Sequence, residues 1–584
     1  MSLLQFRLIL ILSIIVSFTL PAQINYSFEY SGNKFLEQSD LNKLFAPFNT
    51  FSRPNLDSLA TELKLLYQNY GYFNTSVKTL TDANSEDTLH AKILFTIQEY
   101  EPAIVTSIAF NQPDSLLPAA VFSSFNLLFN TRYSSTRLEE SIHSALNYYQ
   151  DNGYPYSSIS VGRIFIDTNR AKVNLYVTIS PDNFTSIKYI ILRGKSETNP
   201  DVIQREIRFI PGEMYNQSRI NKIPIKLNKM KLFDNVSPPE FFLNVNNEGV
   251  LLLGLQDRNN NTFDGIIGYI PSQKQNESGY MTGFIDISFR NLFGTARSAI
   301  FKWQKLNPLS SDIEFSYFEP WVFNFPINAG ARFTQIKQDT TYISWSFEPR
   351  LEFNATDQFS IILLSGYQRT IPALNSTNIL YVFNSTKTSA GLAVKFDSRD
   401  DPFVPLNGIY FKTEYSYIAK KINNSGTMAA ANLDNSYKQQ STNLSIGIFT
   451  ELMKQNVLYT GLTVKTVLGD LIEVSDYFQF GGTNTLRGYR ENQFMGQKIA
   501  YSTIEYRIIL EPKTYAFTFF DAGVFQTSAN SQGNGIANLT VYKQGYGAGL
   551  NFQTGLGIMN VSYALAAGES FSQGKIHFGL KNEF

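Results

Sequence analysis

Three histidines, 49 acidic residues and no cysteine are the material this chain offers for catalysis or metal binding. His90, His143 and His577 are scattered, with no second ligand at the short spacings that metal sites use. Without cysteine there is no thiol nucleophile, no disulfide and no lipobox residue to carry an acyl anchor. Gly194-Lys195-Ser196 has the ending of a phosphate loop, but Tyr189 stands where that motif needs its first glycine, so a turn is the better reading. No Gly-x-Ser-x-Gly nucleophile elbow occurs. Net charge is zero, with no basic stripe, and nothing points to a nucleic-acid partner. No catalytic, cofactor-binding or metal-ligating residue is therefore assigned. What remains is ordinary charge: an arginine such as Arg487, set in the run Gly481 to Arg490, would more often be solvated, and if buried would need a carboxylate partner.

The elements that would have to position such a residue are read from composition first. Charged residues make up 17% and aromatics 14%, with 48 Phe and 33 Tyr, against roughly 25% charged in an average soluble protein. Residues 1–22 read as a secretory signal, with Arg7 as the positive flank, Leu8 to Phe18 as the apolar core and Leu20-Pro21-Ala22 as the cleavage site. That run falls short of the roughly 20 residues a spanning helix needs, and no second apolar run of roughly 18 residues follows it. A closed β-barrel is then the one spanning solution left.

From Ile24 to Asn261 a unit recurs with a period of about 80 residues. Tyr67-Gln68-Asn69-Tyr70-Gly71-Tyr72-Phe73 returns as Tyr149-Gln150-Asp151-Asn152-Gly153-Tyr154-Pro155-Tyr156. In each copy a helical pattern, Leu56 to Tyr70 and Ser135 to Asn152, ends at a glycine suited to a left-handed cap. Strands Ala91 to Gln98 and Ala171 to Ile179 close these copies. A third, divergent copy runs from strand Ser186 to Leu192 through helical stretches near Val202 to Phe209 and Ser218 to Leu232. Phe233 to Val236 stands in place of the landmark, and strand Gly249 to Leu255 comes last. Each copy reads β-α-α-β-β, giving expected domains at 23–101, 102–182 and 183–261. A small sheet of this kind exposes a strand edge that could take an extended segment, or serve as a plain spacer.

From Thr262 onward period-2 alternation takes over, and 262–584 is expected to form a transmembrane barrel of sixteen antiparallel strands. Ile285, Ile287 and Phe289 alternate with Asp286, Ser288 and Arg290; Phe411, Tyr415 and Tyr417 alternate with Lys412, Glu414 and Ser416. Strands are expected to begin near Phe263, Gly279, Ala296, Ser311, Ile327, Tyr342, Phe359, Lys387, Gly408, Ser441, Val457, Ile499, Thr514, Val541, Gly557 and Lys575. Connections after even strands are mostly short (356–358, 454–456, 511–513), and several after odd strands are long and polar (420–440, 528–540). Short periplasmic turns and long external loops place both barrel ends and the repeats on the periplasmic side.

The repeats, the barrel and a set of barrel motifs together resemble the BamA/TamA superfamily, the bacterial surface antigen family, over nearly the whole mature chain. In that family the repeats are POTRA domains. Gly481-Gly482-Thr483-Asn484-Thr485-Leu486-Arg487-Gly488-Tyr489-Arg490 resembles the family's signature loop, which folds back into the lumen; Leu486 replaces the usual valine. Phe519-Phe520-Asp521-Ala522-Gly523 resembles the thirteenth-strand motif that supplies the arginine's partner. Strand parity puts Asp521 and Gly523 on one face, and puts Glu505 and Arg507 together on the strand before. The resemblance thus implies an Arg487–Asp521 pair that pins the loop, extended by Glu505 and Arg507. Asn291-Leu292-Phe293-Gly294-Thr295 and Asp397 to Pro402, with Pro405 and Gly408, are family-like stretches at periplasmic turns. Gly579 and the terminal Phe584 resemble the C-terminal barrel signal.

What the resemblance implies is a factor that folds, inserts or translocates unfolded outer-membrane or secreted proteins, using POTRA edges, a lipid bilayer and a weak seam between first and last strands. Three repeats favour a TamA-like member, with an elongated TamB-like periplasmic partner left open. A two-partner secretion transporter and a passive porin-like barrel are the alternatives. No enzyme activity and no cofactor are expected.

Overall fold

The computed structural model describes residues 25–45, 56–82, 90–258, 261–270, 280–305, 309–338, 341–372, 382–423, 434–511, 513–527, 539–554 and 557–581. The expected signal segment and Phe584 lie outside the described residues. Two compact units are present: residues 1–188 with 212–220 and 244–249, and residues 189–211 and 221–243 with 250–584.

In the first unit, β1 (Asn25–Ser31) pairs parallel and β2 (Ser76–Asp82) antiparallel with a central β3 (His90–Gln98). Helices Gln38–Phe45 and Leu56–Asn69 bury Leu41, Phe45, Leu59, Leu63 and Tyr67 against Ile93, Phe95 and Ile97 of β3. Gly71, at φ +89, ends the second helix as the sequence predicts, because only glycine enters the left-handed region without a Cβ penalty. The next copy repeats the plan. β4 (Ile104–Phe110) and β5 (Ser158–Asp167) flank β6 (Lys172–Ser180), and helices Ala119–Asn126 and Ser135–Asp151 cover one face, the latter ending at Gly153 with φ +94.

The third copy departs from β-α-α-β-β. Along the chain it runs β7 (Ser186–Arg193), helix Pro200–Ile207, β8 (Glu213–Met214), helices Gln217–Asn221 and Ile223–Lys229, β9 (Phe233–Val236), β10 (Glu240–Leu243) and β11 (Gly249–Asp257). The expected helix 218–232 is split because Pro224 has no amide hydrogen for a helix interior and so sits in the first turn of a new one.

The remainder of the second unit is a sixteen-stranded antiparallel sheet. Its strands are β12 (Thr262–Ile270), β13 (Tyr280–Leu292), β14 (Arg297–Lys305), β15 (Ser311–Glu319), β16 (Ile327–Gln338), β17 (Tyr342–Asn354), β18 (Phe359–Pro372) and β19 (Ser385–Asp397). They continue as β20 (Gly408–Ile422), β21 (Ser436–Met453) and β22 (Asn456–Gly469). A small hairpin of β23 (Phe478–Phe480) and β24 (Phe494–Gly496) interrupts the run. The sheet resumes with β25 (Lys498–Glu511), β26 (Thr514–Thr527), β27 (Leu539–Thr554), β28 (Gly557–Ala566) and β29 (Lys575–Lys581). Alternation has the expected consequence: Leu363, Leu392, Tyr415, Ile504 and Phe520 are exposed on the outer face, and Glu314–Arg332, Glu352–Lys395 and Glu414–Lys412 pair on the inner one.

β21 begins at Ser436, not near Ser441. Its polar start Ser-Tyr-Lys-Gln-Gln is strand because the ladder runs on past the apolar band, with Lys438 and Gln439 opposite Ala419 and Ile418. Among the described residues no helix is long and apolar enough to cross a membrane, and no ladder joins β29 to β12.

The rim carrying the short turns, here the near rim, meets the third repeat. Lys226 pairs with Asp357 at 2.9 Å, Arg208 Nη2 donates to the Asn354 carbonyl at 3.1 Å, and Lys229 Nζ donates to the Asp397 carbonyl at 2.9 Å.

Candidate functional site: a loop pinned in the lumen

Residues 470–497 connect β22 to β25 across the inside of the sheet. Gly481, Gly482 and Gly488 take φ of +114, +97 and +90, so the chain reverses tightly where L side chains are disfavoured. Thr485 Oγ1 accepts from the Gly481 amide at 2.7 Å, and the Gly482 amide donates to the Leu486 carbonyl at 2.9 Å. This folded tip buries Leu486 completely among Phe480, Tyr489, Ile499, Phe525 and Ala566. Gly523 on β26 makes the room, since a Cβ there would stand 3.3 Å from Leu486 Cδ2.

Arg487 is held from several sides. Its amide and Nε donate to Asp521 Oδ2 at 3.1 and 2.8 Å, and Nη2 donates to Oδ1 at 2.7 Å. Nη1 reaches Glu505 Oε1 at 2.7 Å, while Arg507 Nε and Nη2 fill Glu505 Oε2 at 2.9 and 2.7 Å. The guanidinium lies 3.5 Å from the centre of the Phe519 ring, and that of Arg507 is 4.5 Å from Tyr459 and 4.9 Å from Tyr515. All four charged residues are buried and their charges cancel, two against two. Such a cluster is weak evidence for net stability but strong evidence for a defined geometry, because breaking one partner leaves a buried charge uncompensated.

Beyond Arg487 the loop touches the last strand. The Gly488 amide donates to His577 Nε2 at 3.0 Å, and Thr483 Oγ1 lies 3.4 Å from His577 Nδ1. A Cβ on Gly488 would come within 2.8 Å of the Ala566 nitrogen and the Leu565 carbonyl, and one on Gly579 would stand 3.0 Å from Thr483 Cγ2. Tyr489 Oη donates to the Gln544 carbonyl at 2.9 Å. The structure therefore brings together Leu486, Arg487, Gly488, Tyr489, Glu505, Arg507, Phe519, Asp521, Gly523 and Gly579.

Three groups were not singled out by sequence reasoning. His577, set aside as a lone histidine, is the acceptor for the loop. Gly545, Gly547 and Gly549 alternate on β27, and each is a site of close approach: a Cβ would stand 2.0 Å from the Arg487 carbonyl oxygen, 2.8 Å from the Phe519 ring and 2.6 Å from the Phe517 ring, respectively. That alternation in a strand was a legible signal. A second anchor lies at the loop's start, where Glu473 and Asp476 meet Lys387 of β19, Lys420 of β20 and Gln439 of β21. Lys420 Nζ donates to Glu473 Oε2 at 2.7 Å and to Asp476 Oδ2 at 2.9 Å; Lys387 also pairs with Asp476, and Gln439 Nε2 donates to it at 2.9 Å. No spacing in the sequence ties 473–476 to two lysines and a glutamine on three other strands.

From the near rim the β19–β20 turn rises into the same lumen. Asp401 Oδ1 accepts from the amides of Phe403 and Val404 at 2.7 and 2.8 Å, and Val404 is buried against Tyr515, Phe517 and Phe519. Between loop and turn lies a cavity of ≈ 210 Å³ lined by Phe403, Thr485, Arg487, Arg507 and Tyr515, among others.

The family description "Omp85 superfamily domain" matches residues 291–584, and "Surface antigen variable number repeat", the POTRA family, matches residues 27–100. The chain is similar to the outer membrane protein assembly factor BamA of Nitratidesulfovibrio vulgaris, 21% identical over 418 residues that cover 65% of this chain and 48% of that protein. BamA of Neisseria meningitidis serogroup B is 22% identical over 280 residues, 46% of this chain and 34% of that one. The chain thus spans about half or less of the curated relatives it matches. Among solved structures it is similar to BamA from Haemophilus ducreyi lacking POTRA domains 1-3, at 14% identity and a TM-score of 0.46, covering 82% of this chain and 98% of that one. CdiB from Acinetobacter baumannii shows 15% identity and a TM-score of 0.44 over 93% and 98%.

Proposed function

The chain belongs to the Omp85 superfamily, and on that premise we propose that it assembles or translocates other proteins at the outer membrane of a Gram-negative bacterium, with its POTRA repeats in the periplasm. Its part is mechanical, without catalytic residues. The observation that carries this reading is the loop itself: Arg487 is fixed to β25 and β26 while its neighbours Gly488 and Thr483 rest on His577 of β29. A loop so placed ties the inside of the barrel to the last strand, which is what a barrel working at its seam requires. The pinned loop and the inserted β19–β20 turn also favour this reading over a passive porin, whose channel must stay open. Sheet edges of the first two repeats offer unfolded clients, or a periplasmic partner of the TamB kind, a strand to extend.

Depletion followed by outer-membrane proteomics tests the reading. Broad loss of barrels indicates a general insertase, loss of a few a TamA-like factor, and loss of one secreted protein a dedicated two-partner transporter. An unchanged proteome removes all three. Locking β12 to β29 with a cysteine pair, introduced into a chain that has no cysteine of its own, should abolish the activity; a fully active locked variant would refute the seam mechanism.

A further inference from the structure

The glycine landmark that ends a helix in each of the first two repeats is also where the next repeat attaches. The Gly71 carbonyl accepts from the Ala103 amide at 2.8 Å, and the Ala103 carbonyl in turn accepts from the Tyr133 amide at 2.9 Å. One repeat further on, the Gly153 carbonyl accepts from the Thr185 amide at 2.8 Å and the Thr185 carbonyl from the Tyr215 amide at 3.1 Å. Residues 71, 103 and 133 have become 153, 185 and 215, a constant shift of 82. The same shift carries the antiparallel pairing of Ile104 with Arg132 onto that of Ser186 with Met214. It also carries the left-handed Tyr100 and Asn130, at φ +58 and +57, onto Asp182 and Gly212, at +62 and +85. A bulky residue such as Tyr100 stays in this region only where its surroundings enforce it. Each connection between repeats is therefore a defined backbone path rather than a loose linker.

The side chains that close the two joints differ while the backbone does not. At the first, a Cβ on Gly71 would stand 2.8 Å from the Tyr133 carbonyl oxygen, so the landmark must be glycine for the next repeat to seat. Phe73 packs on Tyr133 with ring centres 5.4 Å apart, the Arg132 guanidinium lies 4.1 Å from the centre of the Phe35 ring, and Asn74 Nδ2 donates to the Thr168 carbonyl at 2.9 Å. At the second, a Cβ on Gly153 would stand 2.5 Å from the Phe184 ring, and Tyr154 packs on that ring with centres 5.8 Å apart. Asp151, at the end of the same helix, accepts from the Ser218 amide and hydroxyl at 2.7 and 2.6 Å. All of these residues belong to one compact unit, which runs through both repeats and takes in 212–220 of the third.

We propose that the landmark is an inter-repeat socket, and that it fuses the first repeat, the second and the start of the third into one stiff arm without a hinge. Domains of one chain move against each other by default unless a large apolar interface joins them; here a repeated backbone clasp takes the place of area. A client segment that touches both repeats then meets them already aligned, and no ordering entropy is spent on orienting them. A displacement imposed on the first repeat likewise reaches the third undiminished. The inference holds whether the barrel serves as insertase, transporter or porin.

Pairs of spin labels on cysteines introduced into the otherwise cysteine-free full chain read the joints by double electron–electron resonance. Lys64→Cys with Glu140→Cys spans the first joint and Glu140→Cys with Asn246→Cys the second. Glu140→Cys with Arg163→Cys lies within the second repeat and is the reference; all four positions are exposed. Both cross-joint distance distributions should be less than about twice as wide as the reference, whereas a free junction would exceed that bound. A wider distribution at either junction marks a hinge there and overturns the stiff arm. Inserting Gly-Gly between Glu101 and Pro102 parts Ala103 from Gly71 without touching either core. That insertion should push the Lys64–Glu140 width past the same bound and leave the Glu140–Asn246 width as it was. An unchanged Lys64–Glu140 width would show that the clasp does not hold the repeats, and would overturn the socket.

Discussion

Replacing Asp521 by Asn tests the pin at its centre. The carboxylate accepts three bonds from Arg487, and the cluster is neutral only because Asp521 and Glu505 balance Arg487 and Arg507. With an amide at 521, one positive charge is left over in a site where every member is buried. Removing one partner of a buried pair costs about 3–5 kcal/mol; since the amide oxygen still accepts from Arg487, the lower end, about 3 kcal/mol, is expected. At tenfold per 1.4 kcal/mol this raises the undocked fraction of the loop roughly 150-fold. A thiol at Leu486, fully buried in the docked loop, reads that fraction, because in an otherwise cysteine-free chain its alkylation requires undocking. The alkylation rate of Leu486→Cys should rise by about two orders of magnitude in the Asp521→Asn background. Removing both charges together, Arg487→Met with Asp521→Leu, leaves the neutral Glu505–Arg507 pair and should cost less than the two single changes summed. An Asp521→Asn rate within threefold of the parent, or single effects that simply multiply, would show that the network does not hold the loop.

Gly488→Ala places a methyl group 2.8 Å from backbone atoms of 565 and 566 at φ +90; it should undock the tip and raise the same alkylation rate more than tenfold, from about 1–2 kcal/mol of left-handed strain plus the clash. Lys420→Met leaves Glu473 and Asp476 with Lys387 as their one remaining cation among these contacts; a thiol at buried Leu471 should become reactive by roughly 100-fold, on the same 3 kcal/mol scale, while one at Leu486 changes far less if the two anchors are separate. Glu206→Gln concerns pH. Burial raises the Glu206 carboxyl pKa above its ordinary value, so the folded state holds this proton more tightly and stability is lost as pH rises from the unfolded carboxyl range through the folded pKa. The amide keeps an acceptor for Trp321 Nε1 and removes that loss. The variant should melt higher than wild type at neutral pH and equal it near pH 4, about the unfolded carboxyl value; parallel melting curves across that range would refute the assignment.

The barrel was legible because alternation is a property of every strand: apolar outward, polar inward, reversed at each short turn. Strand starts at 311, 327, 342, 359, 408, 514, 557 and 575 follow from it directly. Where the pattern blurs, so does the boundary, as at Ser436, where a polar stretch stays in the ladder beyond the apolar band. The third repeat was harder, since its divergence removed the glycine landmark and left Pro224 as the one local sign of a broken helix. In the site, Arg487 and Asp521 were readable through a family motif, whereas Glu473, Asp476, Lys387 and Lys420 are ordinary surface-type charges in sequence. Their burial follows from topology, with a loop crossing the lumen to strands that precede it by about 50 to 90 residues, and no local pattern records that.

The contact strengths along the loop decide which part can move. At its start three cation–carboxylate contacts join it to β19 and β20, and at Arg487 two more join it to β25 and β26. Each buried pair costs several kcal/mol to break. To β29 the link is a neutral amide donated to an imidazole, with a long second contact to Thr483, and such a bond contributes about 1 kcal/mol. If the seam works, the last strand is therefore what leaves, and the loop stays behind as the fixed reference. His577 also accepts through Nε2, so a protonated imidazole would present a donor to the Gly488 donor and lose the bond. The latch to β29 is thus weaker than either charged anchor of the loop.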